Sequence, residues 1–136
     1  MKKNNKKVTP KRKKEKEITF PAKVLSPVRH FLINEEKKLL QKMKLLKTED
    51  PFNDESRVND NASPDTDARE QMDHIKNKAI ELAMRRKLIQ IRKALARIKI
   101  GKYGICEQCG QMIDTERLMI YPETTLCIRC ERKKSK

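Results

Sequence analysis

The feature that most constrains this chain is a set of four cysteines, arranged as two pairs of equal spacing near the C-terminus. Cys106 and Cys109 form the first Cys-x-x-Cys pair, Cys127 and Cys130 form the second, and residues 110–126 separate the pairs. This spacing fits a closed tetrahedral zinc site, because each pair forms a tight turn that directs two thiolates at one ion. We therefore expect a structural Zn²⁺ bound by all four thiolates, with no coordination position open to substrate.

Two other readings of the cysteines are an iron site of similar geometry and a pair of disulfides. A lysine-rich start without the apolar stretch of a secretory signal indicates a reducing, cytoplasmic location, where disulfides are rare. Gly104 and Gly110 flank the first pair and supply the backbone freedom that such a turn needs. The sequence favours zinc over both alternatives.

Composition limits the size of any core. Of 136 residues, 36% are hydrophobic and only 4% aromatic, so we expect a small or elongated protein. The net charge of +15 indicates an anionic partner, either a nucleic acid or an acidic protein face. No apolar run approaches the ~18 residues of a membrane-spanning helix, and we expect no membrane association.

Charge is segregated along the chain. Residues 1–17 carry nine Lys or Arg and two Glu, whereas residues 49–74 carry nine Asp or Glu and two Arg. We therefore predict a basic, disordered arm over residues 1–25, ending in a short extended segment, and an acidic tip or loop near residues 48–68. A solvated acidic linker without a partner is the alternative for the second stretch.

Two amphipathic helices are predicted, one before the acidic stretch and one that begins within it. Ser26-Pro27 and Ser63-Pro64 each combine an N-cap hydroxyl with a proline at the first helical position. The first helix is predicted over 27–47, and the second ends before Gly101. Apolar residues recur at spacings of three, four and seven, in the first helix at Val28, Phe31, Leu32, Leu39, Leu40, Met43 and Leu46, and in the second at Met72, Ile75, Ala79, Leu82, Leu88, Ile91, Leu95 and Ile98. The register of the second pattern shifts between Leu82 and Leu88, so we expect the packing partner to change there and the first part of the helix to be covered by residues 48–62 or left partly unpaired.

Two such helices bury their apolar stripes only by pairing. We predict a mainly α fold, in which residues 26–100 form an antiparallel two-helix coiled-coil hairpin and residues 101–136 form a small four-Cys zinc module with a basic tail. We expect a monomer, although a dimeric coiled coil between two chains remains open at this point. His30 and His74 fall on the helices, and no phosphate loop or catalytic triad pattern is present, so we do not expect an enzyme.

The sequence resembles the DksA/TraR family of bacterial transcription regulators. The resemblance rests on Ala94-Leu95-Ala96-Arg97-Ile98, Gly101, Tyr103-Gly104-Ile105-Cys106, Cys109-Gly110, Ile113, Arg117-Leu118, Pro122 and Leu126-Cys127-Ile128-Arg129-Cys130. It implies a helical hairpin with an acidic tip and a C4-type zinc finger at the base. It further implies a protein that binds RNA polymerase, inserting the hairpin into the secondary channel so that the tip lies near the active centre. For some members of the family guanosine tetraphosphate is a co-regulator, and we assign it no residue.

The tip motif of the family, Asp-x-x-Asp-x-Ala, is altered in this chain. When its alanine is aligned with Ala68, Ser63 and Thr66 occupy the two aspartate positions, and Asp65 and Asp67 lie beside them. These five residues are the candidate polymerase tip. A weaker candidate is the basic face of Arg85, Arg86 and Lys87, which suits a phosphorylated ligand or a polymerase surface but is also typical of a solvated helix.

A second functional class is a nucleic-acid-binding or ribosome-binding zinc ribbon. Its phosphate contacts would come from the basic arm and from Arg129, Arg132, Lys133 and Lys134 of the module. A protein that binds single-stranded nucleic acid needs aromatic side chains on which bases stack, and the module offers only Tyr103 and Tyr121. The polymerase-binding reading is therefore preferred.

Overall fold

The computed structural model describes residues 20–50, 52 and 63–135. Its helices are α1 (Ala22–Thr48), α2 (Pro64–Lys99), α3 (Thr115–Ile120) and α4 (Ile128–Lys134). The two long helices pair in opposite directions, because Glu36 of α1 contacts Arg92 of α2 while Asp50, after α1, contacts His74. The predicted fold class, an antiparallel helical hairpin followed by a four-Cys module, is confirmed. None of the described helices is both long and apolar enough to cross a membrane.

The start of α1 differs from the prediction. The helix begins at Ala22, so Pro27 lies inside it rather than at its first position, and the expected extended segment is helical from residue 22 onward. A proline inside a helix removes one hydrogen bond and costs about 3 kcal/mol. Leu25 and Val28 pack against the buried core, and this packing outweighs the cost. The predicted basic arm, except its last residues from Phe20, lies outside the described residues.

The ends of α2 agree with the prediction. Ser63 is the N-cap, its side chain accepts a hydrogen bond from the Thr66 backbone N–H, and Pro64 follows at the first helical position. The helix ends at Lys99, and Gly101 adopts a positive φ of 73° directly after it. With 36 residues against 27, α2 is about 14 Å longer than α1. Most of the predicted acidic loop, residues 51 and 53–62, lies outside the described residues.

The core is at the base of the hairpin, where it meets the zinc module. Leu32 of α1 and Ile91 of α2 are completely buried there, and Ile113 and Leu118 of the module belong to the same cluster. A chain this poor in aromatic residues thus gathers its large apolar side chains at one end. The base forms one packed unit with the module, and the rest of the hairpin is two helices thick over the residues that the structure describes.

The predicted apolar residues of α2 pack against the base in the second half of the helix and are exposed in the first half, with the change at the predicted register shift between Leu82 and Leu88. Leu88 and Ile91 are buried, and Leu95 and Ile98 are half-buried against the core. In the first half, every predicted seam residue is exposed, namely Met72, Ile75, Ala79 and Leu82. In α1, Phe31 and Leu40 are also exposed, whereas Leu32 and Leu39 are buried.

Polar side chains occupy the inner face of α2 toward the tip. Glu81 is buried there, and its carboxylate accepts hydrogen bonds from Arg85 at 3.1 and 2.7 Å. The Arg85 hydrogen bond lowers the pKa of Glu81; desolvation opposes this shift, and the charges of Arg85, Lys78 and Lys47 add to it. Paired polar side chains therefore occupy the inner face of α2 in this half of the helix, and its apolar side chains lie on the outer face.

Candidate metal centre

The four cysteines predicted as metal ligands converge at the base of the molecule. Their sulfur atoms all lie within 4.8 Å of one another, and the Sγ atoms of Cys109 and Cys127 are 3.7 Å apart. A tetrahedral site with Zn–S distances of about 2.3 Å has S···S edges of about 3.8 Å. All four cysteines are free thiols, so the disulfide alternative is not realised.

Two glycines shape the turn that carries the first cysteine pair. Gly104 and Gly110 have φ values of 80° and 69°, a region that residues with a Cβ rarely adopt. Between them the backbone closes on itself, since the Cys106 N–H donates to Gln111 O at 2.8 Å and the Ile113 N–H donates to Gly104 O at 2.7 Å. The turn projects the sulfur atoms of Cys106 and Cys109 toward the second pair.

The second pair lies at the beginning of α4. Cys127 is the N-cap residue of this helix and Cys130 is in its first turn, a spacing that places both side chains on one side of the helix start. The Glu107 N–H donates to Thr125 O at 3.0 Å, and the Cys127 N–H donates to the Cys106 sulfur at 3.4 Å. Backbone hydrogen bonds therefore join the two cysteine pairs.

The electrostatics of the cluster fit a cation. Burial acts to raise the pKa of Cys106, but hydrogen bonds from the backbone at Cys109, Cys127 and Gln108 outweigh it and lower the pKa to about 6. The hydrogen bond with Cys127 and desolvation raise the pKa of Cys130 to about 12. The negative charge of one thiolate thus disfavours ionisation of the neighbouring thiols. A divalent cation among the four sulfurs offsets this repulsion, so that all four can ionise. An all-sulfur donor set of this size suits Zn²⁺, which would stabilise the folded module.

Polar contacts join the module to the hairpin. Arg97 of α2 donates to Ile105 O at 2.6 Å, and its guanidinium lies 3.8 Å from the Glu107 carboxylate. The hydroxyl of Tyr103 donates to Pro122 O at 2.9 Å, and burial, with a smaller contribution from Glu123, raises the pKa of Tyr103 to about 12. The metal centre is therefore fixed to the end of α2, and Tyr103 belongs to the core.

The other predicted site residues lie at the far end of the hairpin and along α2. Ser63 and Thr66, which occupy the aspartate positions of the family motif, have their hydroxyl oxygens 2.9 Å apart. Asp65, Asp67 and Ala68 are exposed in the first turn of α2. The structure brings these five residues together at one helix terminus, remote in sequence and in the fold from the metal centre.

The three residues of the basic face are exposed but do not form one site. Arg85 is paired with Glu81 of its own helix, and Lys87 lies 3.7 Å from Glu35 of α1. Arg86 lies between them in sequence and is exposed. Two of the three cations are therefore engaged in pairing within the hairpin.

Two contacts that position these elements had no signal in the sequence analysis. Asp50 pairs with His74, and the Phe52 ring packs edge-on against His74 with ring centroids 4.7 Å apart. At the base, the Phe20 ring contacts both Gly104 and Tyr103, the latter with a centroid distance of 6.0 Å. Each joins residues that are distant in sequence, and periodicity carries no information about such pairs.

Comparisons with known proteins agree with this geometry. Residues 101–136 match the family model described as the prokaryotic dksA/traR C4-type zinc finger. An uncharacterized protein of Aquifex aeolicus (strain VF5) is 41% identical over 61 residues, which cover 45% of this chain and 39% of that protein. The structure of transcription factor DksA2 from Pseudomonas aeruginosa superposes with a TM-score of 0.68 and 21% sequence identity, covering 84% of each chain.

The likeness to DksA2 extends over the hairpin as well as the module, and the family match is confined to the module. At 21% sequence identity, the likeness to DksA2 shows the fold of the chain. The resemblance noted in the sequence is confirmed on both counts. The C-terminal module matches the DksA/TraR C4-type zinc finger over residues 101–136, and the chain that carries it has the same fold as DksA2.

Proposed function

We propose that this protein regulates transcription in the cytoplasm by binding RNA polymerase, with its hairpin in the secondary channel and the start of α2 near the active centre. The observation that carries the proposal is the match of the hairpin and module together to the fold of a transcription factor over 84% of both chains. The zinc site acts as a scaffold in this proposal, because four thiolates leave the metal no open position.

The shape of the molecule supports entry into a channel. Away from the base, the described part of the hairpin consists of two helices, each ~10 Å in diameter, and α2 with its 36 residues is about 54 Å long. The packed base, where α1, α2 and the module meet, is wider than the hairpin. A narrow rod on a broad base can enter a channel to a defined depth.

The chemistry of the tip supports a role for the two shifted aspartates. The hydroxyl of Ser63 caps α2 and contacts that of Thr66, so the residues in the family's aspartate positions have a structural use here. Asp65 and Asp67 are exposed in the same turn. Their carboxylates are the groups that would act on a catalytic Mg²⁺ or on basic loops of the polymerase.

The nucleic-acid-binding alternative is weakened by the burial of Tyr103. Its side chain is only 5% exposed, so it is closed to base stacking, and Tyr121 is the exposed tyrosine of the module. The basic arm over residues 1–17, on which this alternative depends, lies outside the described residues. Residues 85–87 are largely committed to pairing within the hairpin, and we propose no guanosine tetraphosphate site there.

The test is binding of labelled full-length protein to purified bacterial RNA polymerase, with transcription measured in the same preparations. The double variant Asp65→Asn, Asp67→Asn removes the tip carboxylates. The matched control, Asp73→Asn, removes an exposed acidic group of α2 outside the tip. Each protein is measured at two salt concentrations and against a nucleic-acid fragment.

We expect the wild type and the control to bind polymerase and alter transcription, and the tip variant to bind without altering it. Binding without any effect on transcription in the wild type would show a passive occupant of the channel. Absence of polymerase binding, together with nucleic-acid binding that falls steeply with salt, would overturn the proposal in favour of the basic-arm function.

A further inference from the structure

The outer face of α2 carries a stripe of large aliphatic side chains that the hairpin does not use. Met72, Ile75, Leu82 and Ile89 are 67%, 63%, 52% and 56% exposed, respectively. On the inner face, Leu88 and Ile91 are buried, and Ile91 belongs to the core cluster that α1 and the module share. We call these four residues the outer stripe.

The spacing of the outer stripe is that of a coiled-coil seam. Met72 and Ile75 are three residues apart, Ile75 and Leu82 are seven apart, and Leu82 and Ile89 are again seven apart, with Ala79 filling the intervening position. Residues at these intervals form one row on a helix, about 26 Å long from Met72 to Ile89. An apolar row with heptad spacing is complementary to another helix rather than to a flat surface or a small molecule.

Exposure of this apolar row to water costs free energy, and the hairpin gains no contact from it. Contiguous exposed apolar surface on a protein commonly marks an interaction site. The inner positions at the same levels are filled by the polar residues His74, Asn77 and Glu81. The hairpin therefore forms without burying the aliphatic row, and burial of the row requires a partner.

The charges beside the outer stripe identify the kind of partner. At the heptad positions that flank it, the charged residues are Lys76, Lys78, Arg85 and Arg92, all basic, and Arg86 lies within the row. Lys78 and Arg85 share the carboxylate of Glu81, and Arg92 pairs with Glu36 of α1, so positive charge remains in excess beside the stripe. The acidic Glu81 is buried on the opposite side of α2. A second copy of this chain would place basic flanks against basic flanks, which is unfavourable.

We propose that the outer stripe of α2 binds an amphipathic helix of a partner protein, one whose apolar row is flanked by glutamate or aspartate. The three helices then pack together along α2, with the partner's carboxylates beside Lys76 and beside the Lys78–Arg85 pair, whose shared partner Glu81 neutralises only one of their two charges. This inference stands apart from the proposed function, since the stripe and its basic flanks are features of α2 itself.

The experiment uses the full-length zinc-bound protein and designed three-heptad peptides. One labelled peptide has leucine at the seam positions and glutamate at the flanking positions; a second has lysine at the flanks; a third has the composition of the first with its leucines scrambled. Binding is followed by fluorescence anisotropy. The stripe variant is Ile75→Gln, Leu82→Gln, and the matched control is Leu40→Gln, Leu45→Gln, which alters two exposed leucines of α1.

We expect the glutamate peptide to bind at least tenfold more tightly than the lysine or scrambled peptide. The stripe variant should weaken that binding at least tenfold and the α1 control should leave it unchanged, with the circular dichroism of both variants like that of the wild type. Equal binding of all three peptides, no binding of the glutamate peptide, or binding that survives in the stripe variant would each overturn the proposal. No outcome depends on RNA polymerase, so failure here leaves the proposed function to its own test.

Discussion

The Nδ1 atom of His74 lies 3.0 and 2.9 Å from the two carboxylate oxygens of Asp50, a residue 24 positions earlier in the chain. This pair joins the end of α1 to α2 at the level where the described part of the hairpin opens toward the tip. Asp50 is buried, and it also accepts a hydrogen bond from the Phe52 N–H at 3.1 Å. The Asp50 carboxylate therefore joins the end of α1 to α2 through polar contacts.

The Asp50–His74 pair predicts a contribution to the free energy of unfolding that is lost in acid. The His74 hydrogen bond lowers the pKa of Asp50 below the ordinary aspartate value of 3.8, against an opposing effect of desolvation. A carboxyl group with a lowered folded-state pKa stabilises the fold at pH values above the unfolded-state pKa. That stabilisation is lost as the pH falls through the folded-state pKa.

We expect NMR titration of the Asp50 carboxyl carbon to give a midpoint below that of an ordinary aspartate, and His74→Gln to raise it. The difference in unfolding free energy between wild type and His74→Gln should shrink as the pH falls below about 4. Asp73→Asn, at an exposed position of α2, serves as the control. An unchanged Asp50 midpoint in His74→Gln would show that the pair does not set this pKa.

The register of the hairpin gives a second prediction. Ile91 is completely buried and Leu82 is 52% exposed, although both belong to the heptad pattern. Ile91→Ala should lower the free energy of unfolding by about 2–5 kcal/mol, because it leaves a cavity in the core. Leu82→Ala should change it by about 0.5 kcal/mol or less. Urea unfolding followed by circular dichroism measures both, and equal losses would place Leu82 in the hairpin seam after all.

This contrast shows what the sequence could and could not predict. The cysteine spacing and the cap at Ser63-Pro64 are local signals, and each was sufficient to place its element. The inner face of α2 near the tip was not predictable, because it depends on Glu81 and His74 finding partners that only the folded hairpin supplies. Likewise Ser26-Pro27 looked like a helix start, but the packing of Leu25 and Val28 at the base extends α1 upstream of it.

Gly104 gives a third prediction. It has a φ of 80°, and a Cβ at this position would overlap the ring of Phe20. Gly104→Ala therefore combines backbone strain with loss of the contact between the start of α1 and the module, and should cost about 1–3 kcal/mol. The melting temperature of the zinc-bound protein measures the effect. Gly110→Ala is the comparison, since Gly110 is exposed with a φ of 69° and carries the strain without the Phe20 contact.

We expect Gly104→Ala to lower the melting temperature more than Gly110→Ala. Combining Gly104→Ala with Phe20→Ala should recover part of the loss, because the overlapping ring is then absent. If the two glycine variants melt together and the second substitution recovers nothing, the Phe20 contact does not contribute to the cost.

The last prediction concerns the metal. Cys109 is the exposed member of the cluster, and its sulfur lies 3.7 Å from that of Cys127. Cys109→Ser replaces a thiolate with a hydroxyl, so we expect the variant to bind less than one zinc per chain. In the wild type, we expect removal of zinc by a chelator to unfold part of the base. Metal content is measured by elemental analysis and folding by circular dichroism. Ser135→Ala, at an exposed position after α4, should keep one zinc and full helicity. A Cys109→Ser protein that also kept both would exclude this cysteine as a structural ligand, whereas loss of metal with the α1–α2 pairing retained would show that the hairpin needs the zinc only at its base.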